Sequence, residues 1–378
     1  MNRNEYAASV QRELLELIRT MAVIPAPSHH EDRRVAFLLP WLEQQGFTGV
    51  TVDKAKNVLI PVGVDETNDV AVIMAHTDVV FPDTDPLPIT EDEEKISCPG
   101  VQDDTANLAV LLLCARFCRQ FPLRGMGVVF VANACEEGLG NLDGVRAVID
   151  AYGSRVKEFI SVDGSLPALT TRAVGSFRYN VAVKTAGGHS WGRFGAENAI
   201  ANAASLIADL YTVQVPVHGA SRTTYNVGTI SGGTSVNTIA QNAEFLYEYR
   251  SDTAQCLAEM KAIFDGIVAR HRKDGVDIDV TLLGERPCGA DMPEAEWQAL
   301  KDWIRACARE TTGIELQERS GSTDANLPLS RGIPAATIGG CNGVGAHTRG
   351  EYLLKDSLLP GTVYLLRILG RYFDLPQD

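Results

Sequence analysis

The stretch Val70–Asp78, read as VAVIMAHTD, constrains this chain more than any other. An unbroken apolar run has no polar face to offer water, so it reads as a strand buried on both sides, inside a parallel sheet. Such a strand delivers its last residues, His76 and Asp78, to the sheet edge where α/β proteins collect ligands. An imidazole is a dependable metal ligand only when an acceptor holds its other ring nitrogen, and Asp78 is a candidate for that. Taken alone, the pair reads equally as a surface His at a strand end.

Two further apolar runs repeat the pattern. Gly127–Cys135 (GVVFVANAC) leads into Glu136-Glu137, and Phe159–Val162 leads into Asp163-Gly164. Adjacent carboxylates beside a core repel one another and call for cations or protons. Asp103-Asp104 stands just ahead of the helical stretch Thr105–Phe121. One of that pair can cap the helix, which frees the other to point at the edge reached by His76. A glycine-rich loop then brings Ala346-His347-Thr348, and with it a second His. Carboxylates and imidazoles together suit divalent cations, and two ions close together need a shared carboxylate.

Around these motifs the chain alternates helix and strand. Tyr6–Met21 and Glu31–Gln45 have helical spacing, Val50–Val52 and Asn57–Val62 read as short strands, and Phe81–Pro99 reads as a loop too polar to pack. From Val174 to Pro287 the character changes. Strands with period-two alternation (Ser176–Lys184, Arg222–Ile230, Ala243–Arg250, Val276–Leu283) are interleaved with helices Ala196–Leu210 and Ala254–Arg272. Alternation implies a sheet with one exposed face. The expected organisation is therefore a discontinuous domain, 1–174 plus 288–378, with an α+β domain inserted at 175–287.

Composition excludes other classes. A formal charge of −14 without any Lys/Arg-rich run argues against a nucleic-acid partner. Eight cysteines without Cys-x-x-Cys pairs suggest reduced, buried thiols rather than a disulfide framework. No run of about eighteen apolar residues occurs, so a cytoplasmic enzyme without membrane contact is expected.

Taken together, His76-Thr77-Asp78, Gly100 with Asp103-Asp104, Glu136-Glu137, Asp163, Gly188-His189-Ser190, the Gly232–Asn237 stretch, Arg250, Thr323-Asp324, His347 and Glu351 resemble a known family. It is the dinuclear zinc metallopeptidase family of peptidase T, carboxypeptidase G, aminoacylase, acetylornithine deacetylase and succinyl-diaminopimelate desuccinylase. The resemblance spans nearly the whole chain and is nearest to the peptidase T-like members. It implies an α/β fold: a zinc-exopeptidase-type catalytic domain with a mostly parallel sheet, and an inserted α+β domain for dimerisation and for covering the site. It also implies two divalent metal ions, zinc first, with cobalt or manganese as alternatives. His76 and Asp163 would hold one ion and Glu137 and His347 the other, with Asp103, followed by a cis peptide, bridging them. Glu136 would be the general base and Asp78 the residue that orients His76. His189 would reach across a homodimer to the oxyanion, and Asn237 and Arg250 would hold substrate.

The implied substrate is a short peptide, with deacylation of N-acyl amino acids as the alternative. A non-catalytic binding relative is disfavoured because every expected ligand and Glu136 are present. Thr105-Ala106 replaces a common Lys-Gly, Ser320 stands where peptidase T carries Arg, and Ala240 replaces a common Pro. These departures bear on substrate choice and remove no ligand. Asp rather than Glu at 163 leans toward peptidase.

Overall fold

The computed structural model describes residues 1–377. The chain separates into two compact units, Met1–Ala173 with the segment from Ala290 onward, and Val174–Gly289.

The first unit is built on an eight-stranded sheet. Its strand order is Thr51–Val52, Val58–Val62, Gly127–Asn133, Val70–His76, Val156–Val162, Ala335–Ile338, Thr170–Ala173 and Arg319–Gly321. Val70–His76 runs parallel to both of its neighbours, and His76 lies opposite Asn133. Every residue of Val70–His76 and of Gly127–Asn133 is buried, as continuous apolar runs require. The crossovers are Asn107–Cys118, between the strands at 70 and 127, and Asp143–Tyr152, between those at 127 and 156. Because the central strands are parallel and in step, the chain leaves all of them at one edge. That edge receives His76, Glu136-Glu137 and Asp163.

Helix Asn107–Cys118 is buried at all but one of its positions. It lies between the sheet and an outer layer that includes Leu358–Leu369. Two local expectations fail. The segment 81–99 is not a free loop: Thr90–Glu91 and Lys95–Ser97 pair with each other, and Lys95–Ser97 also pairs with Tyr352–Leu354. Phe81, Leu87, Ile96 and Cys98 are buried there, so four apolar side chains outweigh the polar composition around them. The N-terminal helix is two helices, Arg3–Ser9 and Gln11–Ala22, meeting at Val10.

The second unit is a four-stranded antiparallel sheet in the order Thr223–Gly232, Asn242–Ser251, Gly175–Thr185, Val276–Arg286. Helices Ala199–Leu210 and Ala254–His271 pack on it. Asn242–Ser251 alternates buried with more exposed positions along its length. Its inward Phe245, Tyr247 and Tyr249 share one core with Tyr179 and Phe264. The edge strand Thr223–Gly232 is largely exposed. Apart from this sheet, Gly188-His189 pairs with Thr238-Ile239.

One close approach in the first unit tolerates no side chain. A Cβ on Gly361, in helix Leu358–Leu369, would lie 1.6 Å from the carbonyl oxygen of Gly340. Alanine in place of glycine within a helix ordinarily stabilises it, but here the helix must retreat from the loop that leads to His347. We expect Gly361→Ala to cost about 2 kcal/mol or more, read as a lower urea midpoint. An unchanged midpoint would show that the helix can move without penalty.

Candidate metal centre

The site begins with a backbone device. Val101–Ala106 forms a wide helical turn whose φ and ψ depart from helical values at Asp103 and Asp104, and the peptide between those two is cis. The regular helix starts only at Asn107, with no side-chain cap. Neither Asp therefore caps it, contrary to the simplest reading of the sequence. Asp104 is fully buried instead: Oδ2 accepts the His76 backbone N–H at 2.9 Å, and Oδ1 accepts the Asn107 amide at 2.6 Å. Asp103 is turned the other way. Its Oδ1 lies 3.0 Å from His76 Nε2 and its Oδ2 lies 3.2 Å from His347 Nε2. One carboxylate thus faces both imidazoles.

The turn that presents Asp103 is held from the far end of the chain. Glu351, also fully buried, accepts backbone N–H groups from Gly100 at 2.9 Å, Gln102 at 2.8 Å and Asp103 at 3.0 Å. His347, on a positive φ of 64°, places Nε2 3.1 Å from Glu137 Oε1.

Asp78 does more than orient His76. His76 Nδ1 is 3.0 Å from the Asp78 backbone carbonyl and 3.5 Å from its Oδ1. The carboxylate itself accepts the Glu136 N–H at 3.0 Å, the Glu137 N–H at 2.9 Å and the Ser28 hydroxyl at 2.6 Å. A side chain two residues beyond one strand thereby fixes the turn that follows its neighbour.

Metal-ligating atoms fall into overlapping groups, each within 4.8 Å: His76, Asp103, Asp104 and Asp163; His76, Glu136 and Glu137; and Asp103, Glu137 and His347. Six of the seven are expected site residues, and Asp104 is the addition. Asn237, Arg250 and His189 belong to the second unit. There His189 Nδ1 accepts the backbone N–H groups of Trp191 at 3.2 Å and Gly192 at 3.3 Å. An accepting Nδ1 leaves the ring proton on Nε2, which makes that nitrogen a donor. Arg250 Nε and Nη2 donate to Glu248 at 3.0 and 3.1 Å, a partner that sequence reasoning missed.

The electrostatics of the cluster call for added positive charge. Burial, reinforced by Asp103 and Glu136, pushes the Asp163 carboxyl well above the usual range. Burial and the neighbouring Glu136 do the same to Asp324, whose Oδ2 accepts the Asn133 amide at 2.8 Å. Burial works against the charge on Asp103, yet hydrogen bonds from His347 and His76 hold its carboxyl below the usual range. Those to Asp103 and Glu137 raise His347 to about 10. Among the described residues no Lys or Arg forms an ion pair with Asp103, Asp104, Asp163 or Asp324. Two imidazoles, a carboxylate between them and further carboxylates on either side form a donor set that fits two divalent cations.

Comparison with known proteins agrees. Residues 72–371 match the model of peptidase family M20/M25/M40. A succinyl-diaminopimelate desuccinylase from Nitrosospira multiformis is 26% identical over 75% of this chain and 78% of its own length. Among solved structures, the aminopeptidase PepT of Bacillus cereus superimposes with a TM-score of 0.71 at 19% identity, covering 96% of this chain and 98% of that one. The dipeptidase Dug1p of Saccharomyces cerevisiae gives 0.76 at 16% identity, covering 99% and 98%. A family model that spans His76 through His347 and takes in the whole cluster identifies the chain as a member of peptidase family M20/M25/M40.

Proposed function

We propose that the chain hydrolyses amide bonds in short peptides, as a di- or tripeptidase or an aminopeptidase, using two divalent ions of which zinc is the first choice and cobalt or manganese the alternatives. The observation that carries this reading is Asp103, which faces His76 with one oxygen and His347 with the other. His76 and Asp163 would hold one ion, Glu137 and His347 the second, and Asp103 both. Two such ions would lower the pKa of a shared water and polarise the scissile carbonyl. Glu136 accepts the proton of the attacking water and returns it to the leaving amine. Asp78 aims that base by fixing its backbone N–H. His189, with its proton on Nε2, donates to the oxyanion, and Asn237 and Arg250 hold the substrate. The exposed edge strand Thr223–Gly232 supports a homodimer, since pairing across a two-fold axis covers such an edge. Eight free, buried cysteines support a reducing, cytoplasmic location. Among the described residues no helix is long and apolar enough to cross a membrane.

Deacylation of N-acyl amino acids is the second reading, favoured by the likeness to a desuccinylase. Di- and tripeptides assayed against N-acetyl and N-succinyl amino acids, each with zinc, cobalt and manganese, decide between the two. We expect the peptides to be cleaved faster; faster turnover of the N-acyl compounds would reverse the assignment.

Glu136→Gln should keep both metals and lose hydrolysis by orders of magnitude, because a positioned proton acceptor is gone. Glu137→Ala and His347→Ala should lose metal instead. Elemental analysis finding Glu136→Gln metal-free, or an assay finding it active, would make Glu136 something other than the base.

His189→Ala should lower kcat by roughly 10² while metal content holds, the usual loss for one oxyanion donor. Arg250→Ala should act mainly on KM, as a ground-state contact does. If His189 serves the partner's site, mixing His189→Ala with Glu136→Gln subunits restores one competent site per heterodimer. Exchange of subunits without recovered activity would confine His189 to its own chain.

A further inference from the structure

The segment 28–34 supplies none of the proposed ligands, yet it grips the turns that do. Ser28 donates to Asp78 at 2.6 Å, and Arg34 Nη1 donates to the Thr77 carbonyl at 2.9 Å. Glu31, fully buried, uses one oxygen, Oε1, for several donors: the backbone N–H of Cys135 at 3.1 Å, that of His29 at 2.9 Å and the Cys135 thiol at 3.4 Å. Cys135 immediately precedes the proposed base and has a φ of 61°, a conformation that a non-glycine residue keeps only when its surroundings enforce it. The consecutive N–H groups of Cys135, Glu136 and Glu137 thus all end on carboxylates from outside their own strand, Glu31 for the first and Asp78 for the other two.

We infer that Glu31 is a positioning residue for Glu136, acting through the Cys135 N–H that it holds and so setting the direction in which the base leaves the sheet edge. The inference rests on Glu136 being the base. The Glu31 Oε2 is buried without a partner and the carboxylate sits beside the charge of Asp78, so its burial is costly. What that burial secures is an acceptor for the Cys135 N–H, at a residue whose positive φ its surroundings must enforce, and an amide oxygen at the same place would supply it too. The second oxygen contributes nothing visible to the turn; the first is the one that matters.

The test separates aim from stability. Glu31→Met keeps the length of the side chain and removes the acceptor. Glu31→Gln restores an acceptor at the same place. With the peptide cleaved fastest in the panel above, we expect Glu31→Met to lower kcat by roughly 10- to 100-fold, as a displacement of about 1 Å can. KM and bound metal should stay unchanged, and Glu31→Gln should recover most of the loss. In a Glu136→Gln background Glu31→Met should cost nothing more, because two residues acting through one group are not additive. Should Glu31→Met fold poorly, Glu31→Asp, which withdraws the acceptor by one methylene, should show the same kcat loss at constant KM. Wild-type kcat in Glu31→Met, a loss that tracks metal content or folded fraction, or a full additional loss in the Glu136→Gln background would overturn the inference. If Glu136→Gln alone is fully active, the base assignment fails and the inference falls with it; a dead Glu136→Gln beside a fully active Glu31→Met removes the inference alone.

Discussion

The structure depends on placing many negative charges at one edge of a sheet without letting them push it apart. Asp103, Asp104, Glu136, Glu137 and Asp163 all reach that edge. In a low-dielectric setting each charge would raise its neighbours' pKa or unfold the turn that carries it. The turns that carry these charges are held by carboxylates that accept backbone N–H groups, rather than by cationic side chains. Glu351 takes those of Gly100, Gln102 and Asp103, Asp104 takes that of His76, and Asp78 takes those of Glu136 and Glu137. Peptide dipoles hold the geometry and leave the positive charge to be supplied by metal. A Lys or Arg in the cluster would satisfy the same charges and compete with the ions.

This division also explains why the outer residues are as buried as the inner ones. Asp78, Asp104, Asp324 and Glu351 are each fully buried. A carboxylate that fixes a backbone turn works best where water cannot replace it as acceptor. The centre is thus a core of packed apolar strands with a polar network set into its end, and the rigidity of the first is lent to the second. His76 shows the coupling: its backbone belongs to the strand register opposite Asn133, its N–H to Asp104, and its ring to Asp103 and the Asp78 carbonyl.

Much of this was legible in the sequence because it follows from strand burial. Apolar runs ending at His76, before Glu136 and at Asp163 read together as interior parallel strands, and parallel strands in step share an edge. The second unit was legible from period-two alternation, as in Asn242–Ser251. What escaped was set by contacts distant in sequence. Glu31 and Cys135 are 104 positions apart, and Glu351 and Gly100 are 251 apart, so no local pattern announces either pair. The segment 81–99 escaped because its four buried apolar residues, Phe81, Leu87, Ile96 and Cys98, are diluted by polar neighbours. One of Asp103-Asp104 read as a cap because Asp before a helix usually is one; the wide turn at Val101–Ala106 diverts both side chains from the helix that begins at Asn107.

Arg250 shows how a partner distant from any sequence motif can bear on a proposed role. Glu248 lies two residues earlier on the same strand, hence on the same face, and Arg178 faces it across the strand pair. Arg250 and Arg178 both reach its carboxylate, at 3.0 and 3.3 Å. Glu248 is thus shared between two guanidiniums. What Glu248 changes is the freedom of Arg250: a side chain clamped through Nε and Nη2 has lost much of its rotamer entropy before any ligand arrives. A substrate carboxylate would then meet a donor already oriented, and the ordering cost would fall on folding rather than on binding. The clamp would also limit the approach of any anion to the directions that Glu248 leaves open.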